Sequence, residues 1–324
     1  MHVSVREVLD LADRCFGAAG FPEGTARAHA ESIWWTEAYR GTGLTTLHTL
    51  LDELPELDPT ALSLDDRSAR LSVVEGRDQP AIVASVPVLD LACARADRQG
   101  LGVVHAHTRD RNDSAPVLGH LAYKAAEREF LALVLSTDGD GATTAVAGTP
   151  EQPYPLLAEV ALEAPAESAR KFASIVRTGR YHQRDAPLTQ AFFTADGSER
   201  DGAADARLFD RLLQGVTTPR PDATDEIEPG VTVLCIDPVH PRYSQGVRQV
   251  VERFIREHEG AAKPSMTVFE PQAVQDTVGM LISEGVEVEH RVWRDLFEFG
   301  TGILAPSFEG SEKGAGFGLN SLDQ

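Results

Sequence analysis

The chain has 324 residues, 42% hydrophobic and 25% charged, enough for two moderate domains or one large one with a real core. Fifty acidic residues against 30 basic ones leave a formal net charge of -20. Such a surface repels phosphate backbones, which argues against nucleic acid and anionic membranes as partners.

Met1-His2-Val3-Ser4-Val5-Arg6-Glu7 lacks the basic-then-apolar order of a signal peptide, and no apolar run approaches the roughly 20 residues that span a bilayer. Cys15, Cys93 and Cys235 are far apart and odd in number, so they read as core residues of a reduced cytoplasmic protein. Ser4 and Glu7 have capping-box spacing, and Val5, Val8, Leu9, Ala12, Cys15 and Phe16 follow on one helical face. Gly17 and Gly20 stop this helix. Pro22 opens a second one, with Ala26, Ile33, Trp34 and Ala38 on its apolar side and Gly41 and Gly43 at its end. Trp34 and Trp35 are adjacent and so face different sides: one suits the core, the other a partner subunit. A short third helix over 47–54 stops at Pro55, and 57–66 reads as a linker of turn residues.

From Arg70 the period changes. A strand over 70–75 precedes a helix opened by Ser85 and Pro87 that ends at Gly100. A strand over 101–107, a helix capped by Ser114 and an apolar strand over 130–137 continue the alternation of an α/β or α+β layer. Asp138-Gly139-Asp140-Gly141 lacks the spacing of a calcium loop and reads as a turn. Strands are expected over 156–162 and 231–236, separated by polar stretches at 185–205 and 217–230. Helices over 246–258, 271–284 and 290–299 follow, with a mobile tail rich in Gly and Ser over 305–324.

No Gly-x-Gly-x-x-Gly joins a strand to a helix, and there is no P-loop. The densest polar cluster runs from His105 to Asp113. With a period of two, His105, His107, Arg109 and Arg111 share one strand face. That face is either an anion site, with the arginines holding a small anionic or polar substrate and His107 as acid or base, or half of a metal site, or an ordinary solvated strand end. The cationic neighbours oppose a metal, and none is expected. Arg177, Arg180, Tyr181 and His182 form a second polar group, either cleft lining or a solvated loop.

Several short runs resemble the type-2 malate/L-lactate dehydrogenase family. They are Arg40-Gly41, Gly100-Leu101-Gly102-Val103-Val104, Val233-Leu234-Cys235-Ile236-Asp237-Pro238, and Ser283-Glu284-Gly285-Val286 before a helix with Trp293 and Leu296. The resemblance implies a non-Rossmann α/β (α+β) fold in which a helical domain from both termini packs on a central mixed-sheet domain. It divides the chain into an N-terminal helical part (1–68), a central sheet domain that binds cofactor in the family (69–243), C-terminal helices that join the N-terminal part (244–304) and the tail. It further implies reduction of 2-oxo acids, ureidoglycolate or cyclic imino acids, with NAD(P)H bound across a homodimer.

The family's chemistry-bearing residues are replaced. Where it carries a proton-exchanging His and then an Arg after Arg-Gly, this chain has Thr45 and Thr49. A Thr hydroxyl cannot exchange a proton near neutral pH, although Thr45 keeps the substrate-binding position. His48, three residues on, is either a relocated acid or a surface or dimer-interface His. Arg111-Asn112-Asp113-Ser114 stands near the family's Asn-His-Phe-Gly turn. Of the cofactor runs, Gln152-Pro153-Tyr154-Pro155 keeps the Pro and Arg170-Lys171-Phe172-Ala173-Ser174 keeps the Ser, which leaves Tyr154 and Ser174 as the positions for NAD(P)H. The family's Lys-Gly-Tyr-Gly loop is absent before 208–213, and the similar Lys313-Gly314-Ala315-Gly316 lies in the tail. Three functions are compatible with this pattern: a family member repurposed for another small-molecule, biosynthetic step; an NAD(P)H-dependent reductase with a relocated acid, His48 or His107; or a non-catalytic structural or regulatory homologue.

Overall fold

The structure is a computed structural model that describes residues 1–66, 71–76, 79–109, 115–137, 142–147, 154–162, 230–237, 239 and 266–301. In chain order the described elements begin with β1 (His2–Val3), α1 (Val5–Ala18), α2 (Glu23–Arg40), α3 (Gly43–Leu50) and a 3-10 turn (Leu54–Glu56). Next come β2 (Ser63–Asp66), β3 (Leu71–Glu75), α4 (Ala81–Gln99), β4 (Leu101–His107), α5 (Ala115–Glu127) and β5 (Leu131–Thr137). The rest are β6 (Ala142–Ala147), β7 (Leu157–Leu162), β8 (Gly230–Ile236), β9 (Met266–Phe269), α6 (Pro271–Glu284), β10 (Val286–Glu287) and α7 (His290–Gly300). The chain forms two compact units, one from Met1–Leu57 with the chain from Leu281 onward, the other from Asp58–Met280. Among the described residues no helix is long and apolar enough to cross a membrane.

In the first unit, α1 starts at the expected capping box. The Ser4 N–H donates to Glu7 Oε2 at 2.7 Å, and the Glu7 N–H donates to Ser4 Oγ at 3.3 Å. Its buried face is Val8, Leu11, Ala12, Cys15 and Phe16. Pro22 caps α2 from outside instead of starting it, and Gly41 ends it at φ 65°, in the left-handed region that favours glycine. Trp35, not the expected Trp34, is the buried tryptophan of the helix, and Trp34 is half-buried. The third helix begins four residues before the expected start. Its cap is supplied by the preceding helix: the Leu44 N–H donates to Glu37 Oε2 at 2.9 Å. Gly43 is needed there, since a Cβ would stand 2.1 Å from the Ile33 carbonyl oxygen. β1 and β10 form a two-stranded ribbon, with Val3 opposite Val286 and the N-terminal amino group donating to the Val288 carbonyl at 2.8 Å.

The second unit holds an eight-stranded mixed sheet in the order β2-β3-β4-β8-β5-β6-β7-β9. β3 and β4 are parallel neighbours joined by α4, and β8 lies antiparallel between β4 and β5. Gly102 identifies the face covered by α4, because a Cβ there would lie 2.0 Å from the Ala92 carbonyl oxygen. Side chains alternate along a strand and directly paired residues share a face. Gly102, Val104, Ala106 and Cys235 therefore turn towards α4, and Val103, His105, His107, Thr232 and Leu234 turn to the opposite face.

Three expectations need correction. α4 begins at Ala81 with Pro80 as N-cap, so Pro87 lies inside the helix instead of opening it. Proline there removes one backbone donor, and the first turns hold because Ile82, Val83, Ala84 and Ser85 are all buried. The supposed linker contains an exposed edge strand, β2, paired antiparallel to β3. β6 was not anticipated, since three Ala dilute the β-branched Thr and Val of Ala-Thr-Thr-Ala-Val-Ala and no large apolar residue marks a face. The readings at 138–141, 185–205, 217–229, 246–258 and 305–324 lie outside the described residues.

Candidate functional site

β4 runs through the middle of the sheet and buries every residue, so any polar side chain on it needs a partner. His105 and His107, two residues apart, turn to the same face with rings 4.7 Å apart, edge to face. They are 2% and 3% exposed. His105 Nδ1 lies 2.8 Å from Thr232 Oγ1 on β8. Gly230, at the start of β8, makes room for that ring, since a Cβ would be 2.7 Å from His105 Cε1. His107 Nε2 lies 3.6 Å from Glu75 Oε1, at the last residue of β3. This is ion-pair range and longer than a hydrogen bond, so the carboxylate acts on the imidazole through its charge and does not exchange a proton with it directly.

The expected four-residue face is shorter than the period suggested. β4 ends at His107, whose carbonyl accepts from the Gly76 N–H at 3.1 Å. Arg109 lies beyond the strand, half-buried, with its backbone N–H donating to the Gln79 carbonyl at 3.1 Å. Arg111 is outside the described residues. Glu75, Gln79, His105, His107, Thr108 and Arg109 thus gather at the carboxyl ends of two parallel strands, where open α/β sheets bind ligands. Sequence reasoning missed Glu75, Thr232 and Gly230. The available signals were the single carboxylate closing a strand and the single hydroxyl within Gly-Val-Thr-Val-Leu-Cys-Ile.

His48 and Thr45 belong to the first unit, on α3. His48 Nε2 lies 3.1 Å from Asp295 Oδ2 on α7. The Arg291 and Arg294 guanidinium groups approach the same carboxylate at 3.6 and 3.3 Å. The hydrogen bond from His48, then that from Arg294, holds the Asp295 carboxyl below the usual carboxylate range, against the opposing effect of burial. Thr45 is exposed. Three residues along a helix turn a side chain about 60° from its predecessor's direction, so Thr45 and His48 do not share one line along α3.

Of the positions that the resemblance gives to NAD(P)H, Tyr154 is described, half-buried just ahead of β7, with Pro155 buried after it. Ser174 and the 177–182 polar group lie outside the described residues. Tyr154 offers a ring and one hydroxyl, not the cationic charge or aligned N–H groups that a pyrophosphate needs. The donors named for the dinucleotide do not fit it among the described residues. No group of three or more His, Cys, Asp or Glu side chains that could hold a metal occurs among them either.

No protein-family model and no curated protein matches the chain. Solved structures do. Malate dehydrogenase from Entamoeba histolytica is similar at TM-score 0.57 and 12% identity, over 95% of this chain and 99% of that one. Malate dehydrogenase from Pyrococcus horikoshii gives 0.56 and 14%, over 95% and 97%. Delta1-piperideine-2-carboxylate reductase from Pseudomonas syringae gives 0.52 and 16%, over 92% and 99%. Likeness at this identity speaks to architecture, and with the mixed sheet and helices described above it shows that the chain has the malate/lactate dehydrogenase-like fold.

Proposed function

We propose that this chain is a divergent member of the malate/L-lactate dehydrogenase family that has lost the family's hydride transfer and acts instead on a small anionic or polar molecule. The observation that carries this reading is the state of α3. The position of the family's proton donor holds an exposed Thr45 hydroxyl, and the imidazole three residues on, His48, is hydrogen-bonded to Asp295. Hydride transfer to a carbonyl or imine needs a proton donor matched to neutral pH, which a hydroxyl of Thr cannot be.

On this reading the working groups are those at the end of β4. Arg109 holds an anionic group of the substrate, His107 acts as acid or base towards it beside the Glu75 carboxylate, and His105 is fixed by Thr232. The protein works as a cytoplasmic homodimer. A second reading, an NAD(P)H-dependent reductase of 2-oxo acids or cyclic imines, draws support from the same His48–Asp295 pair, because a carboxylate that orients an imidazole also suits a relocated acid.

Titration with NADH and NADPH, followed by nicotinamide fluorescence and calorimetry, separates the two. The first reading expects no binding, together with thermal stabilisation by small carboxylates that is lost in Arg109→Ala. Cofactor oxidation by 2-oxo acids that disappears in His48→Ala would establish the second. Carboxylate stabilisation that survives Arg109→Ala would remove the β4 site, and a non-catalytic homologue would then be the remaining reading.

A further inference from the structure

On the face of the sheet turned to α4, two of the three cysteines meet. Cys93 Sγ, on α4, lies 3.9 Å from Cys235 Sγ, on β8, although 142 residues separate them in sequence. The same register that seats Gly102 under Ala92 brings them together, since Cys235 is the β8 partner of Gly102. Cys235 is 0% exposed and Cys93 is 6% exposed, so Cys93 is the one nearer solvent. Asp90, one turn earlier on α4, accepts a hydrogen bond from Arg128 Nη1 at 2.7 Å, and the Arg128 guanidinium is close enough to act on the Cys93 thiol.

We propose that Cys93 and Cys235 are a peroxide-reactive dithiol that closes to a disulfide, with Cys93 as the attacking thiol and Cys235 as the resolving one. The Cys93 Sγ attacks one oxygen of a hydroperoxide, the O–O bond breaks, and Cys93 becomes a sulfenic acid while the other oxygen leaves as water or alcohol. The Cys235 sulfur then attacks the Cys93 sulfur, the S–O bond breaks, and the hydroxyl leaves as water with the Cys235 proton. Two thiols are oxidised by two electrons in all, and one hydroperoxide is reduced. The sulfurs need to approach by about 1.9 Å to reach the disulfide length of roughly 2.05 Å.

The electrostatics divide the roles the same way. The hydrogen bond from Cys235 holds the Cys93 thiol below the usual thiol range against the effect of burial, and Arg128 adds to the lowering. That same hydrogen bond, together with burial, pushes the Cys235 thiol well up. Reactive thiols are those with thiolate character beside a cation. Cys15 provides an internal control. It is buried, it donates a hydrogen bond to the Leu296 carbonyl at 3.4 Å, and burial pushes its thiol up to about 12.

The test treats the full-length reduced protein with hydrogen peroxide and follows it by alkylation and non-reducing peptide mapping. The expected product is a single linked pair of peptides carrying Cys93 and Cys235, lighter by about 2 Da than the two thiol peptides, with Cys15 still alkylatable. Arg128→Gln is expected to slow closure by about tenfold while the same linked pair forms. The proposal is overturned if Cys15 is consumed as fast as Cys93, if Cys93 runs to sulfinic acid with no linked pair, or if no thiol reacts before the protein unfolds. The wild-type protein alone decides among these outcomes, so a variant that folds poorly does not weaken the test.

Discussion

Replacing His29 with leucine is expected to remove most of the acid sensitivity of the first unit. His29 lies on α2, 0% exposed, with ring centroids 5.1 Å from Phe16 and 5.3 Å from Phe21. Neither of its ring nitrogens has a hydrogen-bond partner among the described residues. Burial alone lowers its pKa from 6.5 to about 4. A displacement of that size separates the two protonation states by about 3 kcal/mol. Between pH 4 and 6.5 the unfolded chain takes up a proton that the native chain refuses. The stability tied to His29 is therefore complete above about pH 6.5 and falls as pH drops towards 4, with about 2 kcal/mol lost between pH 7 and pH 5. Trp34, Trp35 and Trp293 all lie in the first unit and are the three tryptophans of the chain, so urea unfolding read by tryptophan fluorescence isolates it. His29→Leu is expected to be at least as stable as wild type at pH 7, because no hydrogen bond is lost, and to abolish about 2 kcal/mol of the pH 7 to pH 5 difference. An unchanged pH dependence in the variant would refute the assignment of that acid sensitivity to His29.

Gly102→Ala places a methyl group 2.0 Å from the Ala92 carbonyl oxygen and 2.9 Å from the Ala96 nitrogen, so α4 must shift off β4. A loss of about 3 kcal/mol is expected in denaturant unfolding followed by circular dichroism, and a loss below about 1 kcal/mol would mean that α4 is free to move. Ser4→Ala removes the hydroxyl of the capping box and is expected to cost about 1 kcal/mol, read from the tryptophan-monitored transition of the first unit. His48→Ala breaks a solvent-screened contact with Asp295 and is expected to leave stability nearly unchanged in the same unfolding assay. Its sharper signature is the Asp295 carboxyl, whose pKa should rise towards the ordinary carboxylate value in an NMR titration when the His48 hydrogen bond is gone.

What could be read from the sequence follows how local each signal is. α1 carries its own capping box, β4 and β8 are apolar runs bounded by turn residues, and α7 has a strong apolar stripe with Val292 and Leu296 buried, so these elements emerge at nearly their observed bounds. α3 was misplaced because its cap belongs to Glu37, on a different helix. β2 is exposed throughout, its one apolar residue Leu64 included, which leaves no period to detect at the edge of the sheet. Pro87 misled because its usual place is the first turn, whereas burial of the residues before it extends α4 by more than a turn. At the candidate site, His105 and His107 were legible through the strand period of two. Their partners were not, since Thr232 lies 127 residues from His105 and only the register of β8 against β4 unites them. The cysteine pair was hidden in the same way: three scattered cysteines look unrelated until the sheet order places one beside another.

The position of β8 has a consequence for how the protein is made. β4 and β5 are both complete by residue 137, yet the strand that joins them edge to edge spans Gly230–Ile236. At ordinary translation rates the ribosome needs about 5 to 20 s to cover that interval. During that time two apolar strands in the middle of the future sheet keep unpaired N–H and C=O groups along their inner edges. Such edges template pairing with other nascent chains. Pausing before residue 230 should therefore raise aggregation in cells, whereas pausing after residue 236 should not. Codon choice in the stretch that encodes 138–229 becomes a determinant of folding yield, independent of any residue it specifies.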